Sequence, residues 1–166
     1  MGHNIKRKTI NKYTILMLPY RKKKKSTSTK VKKPNLVKKL DRIFSLYIRL
    51  RDVMPGGYGK CISCGRIKPY DELDCGHFHS RIHMSTRFDE DNCHAECRYC
   101  NRMSADHLIK YQYNLIRKIG IGRFEKLNIK AHSTTHWLDS ELEEKIQYYK
   151  NEVIRLSHEK QVHVKI

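Results

Sequence analysis

From Leu36 onward the apolar residues Leu36, Val37, Leu40, Ile43, Phe44, Tyr47 and Ile48 recur at helical spacing, with Lys38, Lys39, Arg42 and Arg49 set between them. The spacing predicts an amphipathic helix that opens after Pro34 and is stopped by Met54, Pro55, Gly56 and Gly57. Its apolar stripe is read as core packing, the usual fate of such a stripe. From Cys61 to Cys100 the pattern is short and polar, with no long helical period. Residues 73–79 read as a strand, and residues 87–93 as a loop or short strand. A helix is predicted from near Asn101, carrying Leu108, Tyr111, Leu115, Ile116 and Ile119 to a stop at Gly120. A further helical stretch follows Gly122, then a turn over residues 132–136, Trp137 and a last helix. That helix is expected to open with Ser140 and Glu143 at capping-box spacing, and Leu142, Ile146, Tyr149, Val153 and Leu156 give it one apolar face. The order is hairpin, then helix, flanked by amphipathic helices, which makes the fold class α+β.

Charge divides the chain. The sequence has 166 residues and a formal charge of +18, yet fourteen of its 35 lysines and arginines, and no acid, fall in residues 1–40. The first acidic residue is Asp41, and the remainder carries only +4. Residues 1–34, with the run Arg21, Lys22, Lys23, Lys24 and Lys25, are therefore expected to form a basic disordered tail, and residues 35–166 a single folded domain. A run of like charge is often no more than a solvated tail. As a binding element its leading partner is a polyanion, because neutralising phosphates releases counterions. The apolar run at residues 13–19 is too short to span a bilayer, and lysines rather than small residues follow it, so neither a membrane nor an export route is expected. A reducing cytoplasm is the expected location.

Two matched pairs, Cys61-x-x-Cys64 and Cys97-x-x-Cys100, bracket the polar segment. Each pair puts two sulfurs on one turn, and four thiolates complete the tetrahedral shell of a structural zinc. Unpaired buried thiols or disulfides are the plainer alternative, and two pairs at ligand spacing argue against it. Cys75 and Cys93 have no partner at that spacing and are assigned no chemistry.

Inside this frame lie residue types suited to phosphodiester cleavage, which needs a base for the attacking water and a divalent cation against the phosphate. His77 suits the base, Asn92 suits a brace for its loop, and Asn101 suits a hard cation with Mg²⁺ character. Arg81 and Arg87 are candidates for gripping a phosphate. The bracketed segment holds more acids than bases, so grip on a nucleic acid must come largely from elsewhere. His132 and His136 are read as surface or DNA-contacting residues rather than ligands.

The order paired Cys, His, Asn, paired Cys, Asn resembles the His-Asn-His nuclease superfamily. The strings Leu73-Asp74-Cys75-Gly76-His77-Phe78, Arg87-Phe88-Asp89-Glu90-Asp91-Asn92 and Cys97-Arg98-Tyr99-Cys100-Asn101 further resemble the phage NinG family, also called Rap. The resemblance runs from about Ile43 to Leu156. It implies a zinc-stabilised ββα-metal hairpin and helix with structural zinc knuckles, and a structure-specific DNA endonuclease. The implied substrate is branched recombination intermediates or junctions, cleaved with Mg²⁺ or Mn²⁺ in the cytoplasm of a phage-infected host. Paired nicks across a branch would suit a homodimer. A zinc-stabilised DNA- or RNA-binding protein without catalysis is the alternative. The wider superfamily places a cation ligand immediately before the base, where this chain has Gly76. Asp74, His79, Asp106 and His107 are the remaining candidates for the second ligand. Asp74 is preferred, on the expectation that a bulge at Gly76 turns it toward His77.

Overall fold

The computed structural model describes residues 35–166. The basic tail expected over residues 1–34 lies outside them. Helix α1, Leu36–Asp52, begins where the Asn35 side chain accepts the Lys38 amide at 3.0 Å, an N-cap that Pro34 precedes. Leu40, Ile43, Phe44, Tyr47 and Ile48 of the expected stripe lie in the core, joined by Leu50, while Leu36 and Val37 are half-buried against it. The partner is the last helix, α5, Asp139–Lys160, which contributes Leu142, Ile146, Tyr149, Val153 and Leu156. Phe44 and Tyr149 meet edge to face with ring centroids 4.9 Å apart, a geometry in which the positive ring edge meets the negative face.

Between these helices lie two antiparallel hairpins. Strands β1, Tyr58–Lys60, and β2, Ile67–Pro69, flank the first cysteine turn. A side chain at Gly59 would collide with Val53, Leu73 and the Asp52 carbonyl, so only glycine lets this hairpin approach the end of α1. Strands β3, Leu73–His77, and β4, Cys93–Cys97, pair in unbroken register from Leu73↔Cys97 to His77↔Cys93. The bulge expected at Gly76 is absent. Alternation therefore sends Cys75 and His77 to one face and Asp74 to the other. Cys75 and Cys93 join the core cluster of α1 and α5, so the His77 face turns toward that helix layer.

The helix expected from near Asn101 to Gly120 is two helices. The first, α2, Arg98–Met103, starts directly from the second cysteine turn, and α3, His107–Ile119, follows Ser104 in an extended conformation. The cysteine turn fixes the direction of α2. The direction of α3 is fixed by buried Tyr111, whose hydroxyl donates to the carbonyls of Gly76 (3.1 Å) and Asn92 (3.2 Å). One straight helix does not meet both demands, and Ser104 turns the chain between them. Gly120, at φ +82°, ends α3 with its amide on the Ile116 carbonyl and starts α4, Ile121–Ala131. The expected cap at Ser140 and Glu143 lies two residues too late: α5 opens after Leu138, whose amide donates to Glu141 at 2.7 Å.

Candidate metal centre and the hairpin beside it

The first cysteine turn is closed by the Cys61 carbonyl accepting the amide of Gly65, which sits at φ +74°. The second is the junction of β4 and α2. Together they bring the sulfurs of Cys61, Cys64, Cys97 and Cys100 within 4.8 Å of one another, with no disulfide among them. Backbone amides of Cys64 (3.5 Å) and Cys97 (3.3 Å) point at Cys61 Sγ, as they would toward a thiolate. Burial nonetheless pushes the Cys61 thiol up to about 11, against those amides. A cation at the centre would reverse that balance. The donor set fits a single ion such as zinc.

Asn92 is fully buried and braces the 78–92 connection. Its Oδ1 accepts the His79 amide at 2.7 Å, and its Nδ2 donates to the carbonyls of His79 and Thr86, each at 3.0 Å. His77, at the end of β3, has Nδ1 3.2 Å from the Cys75 carbonyl and Nε2 3.2 Å from the Arg87 carbonyl. Burial, then the Arg81 charge, lowers its pKa to about 4, against the pull of both carbonyls. The ring is therefore neutral near pH 7. A neutral imidazole has one N–H, so it donates to only one carbonyl and keeps a lone pair beside the other. The sulfurs of Cys75 and Cys93 lie within 4.8 Å of the ring nitrogen and of each other, a grouping that ligand spacing along the chain did not reveal.

On the opposite face Asp74 pairs with Glu96 and Gly76 with His94. Asp74 is held by Arg102 through Nε at 2.7 Å and Nη2 at 2.8 Å, and by Asn101 Nδ2 at 3.1 Å. Burial pushes its pKa up, but Arg102 and Asn101 outweigh burial and hold the carboxyl below its ordinary value. Asp74 and Asn101 are thus brought together, and both are separated from His77 by the sheet. The bulge that was expected to turn Asp74 toward His77 is absent, while the two residues read as cation ligands, Asp74 and Asn101, do stand together. Glu96 and His94, unremarked in the sequence, are buried on this same face. Glu96 accepts the hydroxyl of Ser63 and lies 3.0 Å from His107 Nδ1, while His94 Nδ1 meets Arg51 at 2.7 Å. Alternation along β4 was the available signal for both.

Arg87 is not free to grip a phosphate. Its Nε and Nη2 hold Asp41 at 2.9 and 2.6 Å, a bidentate pair that locks the loop to α1. Arg81 is exposed, and so are His132 and His136. His79 faces Asn128 at 2.9 Å, and Asp106 is exposed before α3. An open cleft above the first cysteine turn is lined by Lys60, Arg117 and Lys118 together with Asp52 and Asn114.

The family described as Bacteriophage Lambda NinG protein matches residues 3–159 of this chain. Protein ninG of Salmonella phage P22 is 31% identical over 107 residues, covering 63% of this chain and 49% of that protein. Protein ninG of Escherichia phage 933W is 30% identical over 103 residues, 61% of this chain and 48% of the relative. That of Escherichia phage lambda is 29% identical over 103 residues, 61% and 47% respectively. The matched region spans about half the length of these relatives. No solved structure matches the chain.

Proposed function

The chain belongs to the NinG family, and from that premise we propose that it is a metal-dependent endonuclease of the His-Asn-His type, cutting phosphodiester bonds in branched recombination intermediates. The observation that carries this reading is the thiol clamp. It joins the cysteine turn of β1–β2 to the junction of β4 and α2, giving a strand–strand–helix unit with His77 on the first strand, Asn92 before the second and Asn101 on the helix. Zinc suits four thiolates at this spacing, and its role would be to hold that unit rigid.

In this mechanism His77, neutral at physiological pH, takes the proton of the attacking water. Asn92 keeps the loop behind it in place, and the Arg87 carbonyl holds the ring until substrate enters. A bound Mg²⁺ or Mn²⁺ supplies charge stabilisation at the phosphate and the leaving oxygen. Arg81, exposed on the same loop, would meet a neighbouring phosphate. Lys60, Arg117 and Lys118 offer a second basic surface for the DNA. The protein would work in the cytoplasm of the infected host, and among the described residues no helix is long and apolar enough to cross a membrane. Cutting both sides of a branch would suit a homodimer.

One observation favours a second reading, a zinc-stabilised DNA- or RNA-binding protein without catalysis. The unbroken register puts Asp74 and Asn101 across the sheet from His77. The readings separate in an assay of purified protein on four-way junction DNA with Mg²⁺ or Mn²⁺. Nicks are expected, and His77→Ala should abolish them while retaining binding. Equal cleavage by that variant would remove His77 as the base, and binding without any cleavage by the wild type would leave the second reading.

A further inference from the structure

Asp74 and Glu96 are directly opposite across β3 and β4, so both side chains leave the sheet on the same face. Like charges directly opposite in a sheet repel. Asp74 has a countercharge in Arg102, but no Lys or Arg reaches Glu96 among the described residues. Glu96 is 0% exposed; its Oε1 receives Ser63 and faces His107, and its Oε2 has no hydrogen-bond partner. His94, two residues back on the same face, also leaves Nε2 buried without a partner. A carboxylate sealed from water with one oxygen unfilled is among the costliest groups an interior can hold, and a cation removes that cost.

The same carboxylate accounts for Gly76. A Cβ at position 76 would overlap Glu96 Oε2, Cβ and Cδ, all inside van der Waals contact. The register aims that Cβ at the helix side, so Glu96 fills the space from which a longer side chain at 76 would have reached the helices. His107, opening α3, meets it from beyond the break at Ser104, and Asn101 on α2 stands beside Asp74. Carboxylate, imidazole and amide donors suit a harder divalent ion.

We propose that Glu96 and His107 are the protein ligands of a divalent cation on the helix side of the hairpin, replacing the ligand that Gly76 cannot supply. As the catalytic cation site this rests on the endonuclease reading above. The test uses the zinc-loaded full chain, titrated with Mn²⁺ and followed by electron paramagnetic resonance, with junction cleavage measured in parallel. Wild type should bind one Mn²⁺. Glu96→Gln and His107→Ala should each weaken binding about tenfold or more, with zinc content unchanged. In a Glu96→Ala background, which vacates the space over position 76, adding Gly76→Asp should restore Mn²⁺ binding. If Glu96→Gln does not fold, His107→Ala decides, because its ring lies at the edge of the core with 20% of the side chain exposed. Unchanged Mn²⁺ affinity in these variants, or no Mn²⁺ binding by wild type, overturns the site. Cleavage by wild type alongside such indifference overturns the site alone. Glu96-dependent Mn²⁺ binding with no cleavage overturns the endonuclease reading and leaves the site standing.

Discussion

His77 shows how a residue's chemistry is set by where its strand ends. Its residue type and position inside the cysteine frame were legible in the chain, but its surroundings were not. Burial at the end of its strand and the nearby Arg81 charge, which no side-chain pattern records, keep it neutral against the pull of two backbone carbonyls. The consequence is measurable. With a folded pKa of about 4 against about 6.5 when unfolded, the unfolded chain binds more protons between those values. The stabilising contribution is complete above pH 6.5 and is lost as pH falls toward 4, at about 1.4 kcal/mol per pH unit for one such group. His79 and His94, also lowered chiefly by burial, act in the same direction. Thermal melts are expected to lose stability from pH 6.5 to 4.5, and His77→Gln should flatten that dependence. A slope identical in the variant would show that His77 does not titrate low. Arg87 teaches a related lesson: a guanidinium in a loop reads as a phosphate grip until its partner, Asp41, is found forty-six residues away.

At the level of elements, helices with a clear stripe were read correctly because burial and periodicity agree. Leu142, Ile146, Tyr149, Val153 and Leu156 of α5 are all buried on one side. The helix predicted from Asn101 to Gly120 failed at Ser104, because its apolar residues, Leu108 to Ile119, all lie beyond the break, and the tertiary contacts at Cys100 and Tyr111 that impose it leave no mark on the pattern. The bulge at Gly76 failed for a similar reason: the glycine serves the opposite strand's Glu96 rather than its own backbone. Pairing of the two cysteine turns was legible, since each is local and only their meeting is not. Cys97 sits where β4 passes into α2, so its loss uncouples a strand, a helix and the first hairpin at once. Cys97→Ser is therefore expected to lose the zinc and unfold the hairpin region, as structural zinc contributes on the order of 10 kcal/mol in small metal domains. Elemental analysis and circular dichroism check this; a folded, metal-free variant would remove zinc from the fold.

For the whole molecule, charge and fold are distributed differently. The described residues include no large uniform basic face around the hairpin, where the Asp74, Asp89 and Asp91 carboxylates interleave with bases. Composition indicated that residues 1–34 hold the excess positive charge, and these lie outside the described residues. Deleting residues 1–33 should weaken binding to junction DNA and flatten its salt dependence, by about 0.9 in log–log slope for each phosphate that the shortened chain leaves unneutralised. An unaltered slope would mean that the tail does not touch DNA. The packing of α1 on α5 carries one more consequence, for the order in which the chain is built. The two helices are separated by the entire zinc frame in sequence, yet each buries its stripe chiefly on the other. During synthesis α1 emerges first and must wait, its Phe44 and Ile48 uncovered, until residues near Leu156 leave the ribosome. Pairings so distant in sequence close late, so the cysteine turns of residues 61–100 can meet before the core that supports them exists.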